Sequence, residues 1–187
     1  AAVTAVKIKG ITHEFQAIDN VKEDGLEIIL NLKTLRLKLF SEEPVKLTLK
    51  VSGEKVVTAK DIEANSQVEI VNPSLKIATL TDPKASLEME LTVSRGRGYR
   101  PTEERVKENN ELGVIAIDAL FSPIRNVGYR VENTRVGEIT NYDKLIMTIE
   151  TDGSIEPEEA VRSSAKVLID HFSLLTGQAP ASAEAAS

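Results

Sequence analysis

The chain has 187 residues, of which 41% are hydrophobic and 28% charged, so it fits one or two globular domains with a buried core. Its net charge of −6 and its 4% of aromatic residues with no Trp argue against general affinity for a nucleic-acid backbone and against base-stacking platforms. The absence of Cys removes disulfides and thiolate metal sites, and no apolar run reaches transmembrane length.

Val3, Val6 and Ile8 open a strand. The segment GLEIILNLKTL, residues 25–35, predicts a helix with Leu26, Ile29 and Leu30 on one face and Glu23 and Asp24 near its start. The period then changes, because Leu35, Leu37 and Leu39 alternate with Arg36 and Lys38. Beyond a break at residues 41–44, Val45, Leu47, Leu49 and Val51 alternate again, and the two runs read as a strand pair with one wet face. Val68 and Ile70 precede an Asn72-Pro73 turn, residues 77–80 form a short apolar run, and Leu87, Met89, Leu91 and Val93 alternate once more. PTEERVKENNE, residues 101–111, is dense in charge and reads as an exposed, mobile loop. The run from Val114 to Asp118 is apolar on both faces and reads as a buried strand.

Leu145, Met147 and Ile149 alternate as in a half-buried strand, and Asp152-Gly153 supplies a turn. Pro157, Glu158 and Glu159 suit the first turn of a helix that runs to about Leu175, with Gly177 as its stop. Val161, Ala165, Leu168, Phe172 and Leu175 form one apolar seam along that helix, and Val167 and Leu174 form a second. One face suits the chain's own sheet, while the other calls for a second helix or subunit. QAPASAEAAS, residues 178–187, has the composition of a linker beginning. Strands clustered between two main helices favour an α+β fold.

Chemistry-bearing groups are sparse. His13-Glu14 could belong to a metal or general-base site, but the one other His is His171 and no HExxH spacing exists, which favours a structural or surface role. The basic run RGRGYR, residues 95–100, could bind phosphate or RNA. A strand-ending turn with solvated Arg groups is favoured, since acidic residues follow immediately. No phosphate-binding or dinucleotide loop is present, and neither Asp118 nor Asp143 has a visible catalytic partner. Catalysis by this chain alone is therefore not expected.

The blocks ITHEF, EDGLEIILNLK, VEIVNPSLKIATL, RGRGY, IDALFSPI, VENTRVGEITNYDKL and TDGSIEPEEA occur in an order that closely resembles the amino-terminal domain of the bacterial RNA polymerase alpha subunit. The resemblance runs from Ala1 to about Gly177. It implies a β-rich inserted domain over residues 1–122, the returning part of an α/β two-layer dimerisation and assembly domain over 123–177, and a flexible linker from 178 to 187. It also implies that an upstream segment with a Leu-Gly-Asn motif and paired arginines, and the carboxy-terminal DNA-binding domain, lie outside this chain. No direct DNA binding and no membrane association are then expected, and the location implied is cytoplasmic.

Alpha subunits dimerise and scaffold the beta and beta-prime subunits of DNA-directed RNA polymerase, a nucleotidyltransferase. Catalysis and magnesium belong to the large subunits, so the resemblance implies no cofactor here. Positions matching the family's large-subunit contacts are Glu27, Lys33, Ile117, Ser122 and Lys144, while Val161, Leu168, Phe172 and Leu175 match the dimer-facing helix. Without the upstream segment this chain is expected to dimerise poorly. The alternative reading is a free-standing β-rich protein-binding module.

Overall fold

The period-2 patterns fold into strands and the 3.6-period patterns into helices in a computed structural model that describes residues 1–63, 65–104, 113–137 and 139–177. Two compact units result, Ala1–Ser122 and Pro123–Ser187. The first contains β1 (Ala2–Ile8), α1 (Gly25–Lys33), β2 (Leu37–Leu39), β3 (Val45–Ser52), β4 (Lys55–Thr58), β5 (Val68–Ile70) and β6 (Lys76–Leu80). It continues with β7 (Ser86–Ser94), β8 (Tyr99–Arg100), β9 (Val114–Ala116) and β10 (Ala119–Leu120).

An antiparallel sheet in the order β3-β7-β1-β9 forms the centre of this unit. β3 and β7 pair over the full length of β3, from Val45 opposite Val93 to Ser52 opposite Ser86. This register places Leu47, Leu49, Leu87, Met89 and Leu91 on one buried face, where Val6 and Ile8 of β1 join them. The opposite face is wet and carries cross-strand ion pairs, among them Lys46–Glu90 at 2.9 Å and Lys9–Glu88 at 3.0 Å. Smaller two-stranded sheets, β2-β5, β4-β6 and β8-β10, surround the central one.

The expected pairing of the 35–39 run with the 45–51 run does not occur, since β2 pairs with β5 and β3 pairs with β7. Alternation marks a strand with one apolar face but carries no address for its partner. The nine residues of β7 match β3 along its whole length, whereas three-residue β2 could have satisfied only a fraction of it.

Helix α1 begins where the Asp24 side chain accepts the Glu27 backbone N–H at 2.8 Å, an N-cap that satisfies one orphan donor. Its buried stripe is Gly25, Ile28, Ile29 and Leu32, while Leu26 and Leu30 are exposed. The face expected from the sequence, Leu26, Ile29 and Leu30, was therefore rotated. LEIILNL is apolar around most of its circumference, so period alone leaves the buried stripe undecided and packing against β1 and β6 selects it.

β9 lies at the edge of the central sheet, and the Ile117 N–H extends its pairing by donating to the Thr4 carbonyl at 2.9 Å. Ile115 and Ile117 are buried, but Val114 and Ala116 are only half-buried, so one face of this strand is fully covered rather than both. Residues 105–111 of the expected loop and the expected linker at 178–187 lie outside the described residues.

The second unit is a long hairpin followed by a helix: β11 (Ile124–Val136), β12 (Ile139–Thr151) and α2 (Pro157–Leu175). Tyr129 pairs with Met147 and Val131 with Leu145. The Asp152 carboxylate accepts the Ser154 backbone N–H at 2.9 Å, shaping the turn before Pro157 opens α2. Leu145 and Met147 are exposed rather than half-buried, at 60% and 45%, and no residue of α2 is buried. Within this unit, both apolar seams of the helix are exposed.

Candidate assembly surface

Polar groups in the first unit converge on structural tasks. Arg95, at the head of RGRGYR, donates from Nε and Nη2 to the Leu39 carbonyl at 3.1 and 2.7 Å, and its Nη1 pairs with Glu42 at 2.7 Å. Its planar fork thus closes the end of β2 against the end of β7. At Gly96 an added Cβ would lie 2.5 Å from the Phe121 ring, so the glycine permits that ring to sit against the backbone. Phe121 in turn donates its backbone N–H to the Gly98 carbonyl at 2.8 Å. Arg95 and Gly96 thus shape a strand-ending turn, while the whole run stays exposed and Tyr99–Arg100 continues as β8.

His13 is exposed in a loop where the backbone N–H groups of Thr12 and His13 donate to the Gln16 side-chain oxygen at 2.6 and 3.3 Å. His171 Nδ1 lies 2.8 Å from the Val167 carbonyl of its own helix. Among the described residues no His, Cys, Asp and Glu cluster could hold a metal ion. Glu23 is a buried carboxylate, but its oxygens are taken by the Thr79 N–H at 2.6 Å, the Thr79 hydroxyl at 3.0 Å and the Lys76 ammonium at 2.8 Å. Burial pushes its pKa up, and these donors outweigh it and hold the carboxyl below its ordinary value.

Of the resemblance-derived contact positions, the structure brings Lys33 beside Asp118, the residue that follows Ile117. Lys33, in the last turn of α1, places its ammonium 3.0 Å from the Asp118 carboxylate, immediately after Ile117 and four residues before Ser122. Ile117 itself is 1% exposed, so its side chain belongs to the core. Glu27 is exposed earlier on α1, beside Lys22, Leu30, Asn31 and Lys76. Six residues along a helix separate it from Lys33 by roughly 9 Å and about 120° of rotation, so the two share a helix but not one face. Lys144 is exposed on β12 opposite Glu132. It belongs to the second unit.

Asp118, which has no visible partner in the sequence, is paired across the fold. One of its oxygens accepts the Lys33 ammonium and the other accepts the Thr102 backbone N–H at 3.0 Å. The Thr102 bond and the Lys33 bond hold its carboxyl below the ordinary Asp value against the effect of burial. No local pattern announces a pair separated by 85 positions.

On α2 the apolar groups Val161, Val167, Leu168, Ile169, Phe172, Leu174 and Leu175 are all exposed. Val127, Tyr129, Val131, Leu145 and Met147 of the hairpin are exposed as well. Apolar surface on this scale marks an interaction region. No described helix is long and apolar enough to cross a membrane.

Residues 6–122 match the RNA polymerase Rpb3/RpoA insert domain. The chain is 53% identical over 177 residues to the DNA-directed RNA polymerase subunit alpha of Oceanobacillus iheyensis, covering 95% of this chain and 56% of that relative. It is 52% identical over 177 residues to the subunit of the same name from Moorella thermoacetica, with the same coverage of both chains. The chain thus spans little more than half the length of the curated relatives it matches.

Proposed function

Because this chain belongs to the bacterial RNA polymerase alpha-subunit family, we propose that it serves in a non-catalytic scaffold subunit that dimerises and nucleates assembly of the beta and beta-prime subunits in the cytoplasm. Catalysis and magnesium belong, on this reading, to the large subunits. The observation that carries the proposal is α2, a 19-residue helix with two apolar seams and no buried residue. A helix so exposed calls for a partner, and one seam facing a second alpha subunit meets that need.

Glu27, Lys33, Ile117, Ser122 and Lys144 are the proposed large-subunit contacts, Ile117 with its side chain buried. The test is co-purification of the full-length subunit with beta and beta-prime, paired with light scattering on the 187-residue chain. The full-length protein should form a dimer and retain both large subunits, whereas the short chain should be mainly monomeric. A tight, concentration-independent dimer of the short chain would overturn that expectation.

A second reading draws on the first unit, which holds every buried hydrophobic residue among those described, from Val3 to Phe121. A β-rich body that closes its own core could act as a free-standing binding module. Failure of the full-length protein to retain either large subunit would favour it.

A further inference from the structure

We propose that Asp118 is a positioning residue of the large-subunit docking surface, fixing the Lys33 ammonium at the end of α1 and tying it to the backbone at Thr102. The inference rests on the reading of Lys33 as a large-subunit contact. Lysine is a flexible four-carbon stem carrying a compact charge, and ordering it on binding costs rotamer entropy. Asp118 removes part of that cost beforehand, because its Oδ2 accepts one Lys33 N–H at 3.0 Å in the free chain. An ammonium has three donors, so the others stay available to a carboxylate or carbonyl oxygen of a partner.

The surroundings fit this division of labour. Lys33 and Asp118 are 35% and 31% exposed, and an ion pair so open to water adds little to stability. What it adds is placement. Asp118 is itself anchored, since its Oδ1 accepts the Thr102 N–H at 3.0 Å and the preceding Ile117 is paired to β1. The lysine also sits in the last turn of α1, where the helix dipole favours a cation. Its charge is therefore held between the last turn of α1 and the segment that joins β9 to β10.

Asp118→Asn separates the two bonds of this residue. The amide oxygen can still accept from Thr102, but the negative charge facing Lys33 is lost. The experiment measures affinity of the full-length alpha subunit for purified beta and for purified beta-prime, using wild type, Lys33→Ala, Asp118→Asn and the double variant, with thermal melting as a folding control. The expected result is about a five- to tenfold loss for Asp118→Asn and less than about twofold on the Lys33→Ala background, the non-additivity of coupled neighbours. A merely structural role would weaken binding equally on both backgrounds and would overturn the proposal. Wild-type binding by Asp118→Asn alongside impaired Lys33→Ala would overturn it while leaving the Lys33 contact intact. Unchanged binding by Lys33→Ala would remove the contact reading itself.

Discussion

Glu23 and Thr79 are joined twice: one carboxylate oxygen accepts the threonine backbone N–H at 2.6 Å and the other accepts its hydroxyl at 3.0 Å. The segment before α1 is thereby fastened to β6, where Val21 also bridges to Leu80. Lys76 completes the site at 2.8 Å. Glu23→Ala leaves a part-buried backbone donor without its partner and should cost about 1–3 kcal/mol, while Glu23→Gln should cost about 1 kcal/mol. Urea unfolding of the two variants beside wild type reads the difference directly.

The same carboxylates set the response to acid. Glu23, Asp61 and Asp118 all have folded pKa values below their ordinary ones, with the Lys76, Lys55 and Lys33 partners among the causes. The unfolded chain therefore binds protons before the folded one does as pH falls. Stability should be level above about pH 5 and decline as pH drops through the free-residue values and on toward the depressed folded ones. A pH series of denaturation midpoints should show this slope in wild type and a shallower one in Glu23→Gln. Equal slopes would remove Glu23 from the explanation.

Gly96 offers a steric test. The added methyl of Gly96→Ala would meet the Phe121 ring at 2.5 Å, and displacing that ring should cost about 1–3 kcal/mol. Phe121→Leu in the same chain should return part of the loss, because the smaller side chain leaves room for the methyl. Thermal melting of the single and double variants measures the coupling.

Lys144 is exposed on β12 and should be dispensable for folding, so Lys144→Ala should shift stability by less than about 0.5 kcal/mol. In the full-length subunit the same change should weaken large-subunit binding by about 1 kcal/mol or more. Unchanged co-purification would count against Lys144 as a contact.

Leu168 and Phe172 are 59% and 64% exposed on α2. Glutamate at either position should leave the melting temperature of the short chain almost unchanged, because no packed neighbour is lost. In the full-length subunit it should convert dimer to monomer, visible by light scattering, through burial of a charge at an apolar interface. A full-length variant that stays dimeric would show that this seam faces something other than the second subunit.

Local chemistry was legible along the chain itself. Alternation at residues 45–51 and 87–93 marked β3 and β7, Pro157 with Glu158 and Glu159 marked the start of α2, and Glu23 and Asp24 stood near the start of α1, where the structure makes Asp24 the cap. The motif blocks carried the family. Partnership was a different matter, decided only by the tertiary structure. β2 chose β5 and β3 chose β7, the buried stripe of α1 turned away from Leu26 and Leu30, and Lys33 found Asp118 across 85 positions. A hydrophobic period records that a face will be buried, because it follows from backbone geometry within a few residues. Which face, against which neighbour, and beside which charge depends on surfaces that exist only after the chain has closed on itself.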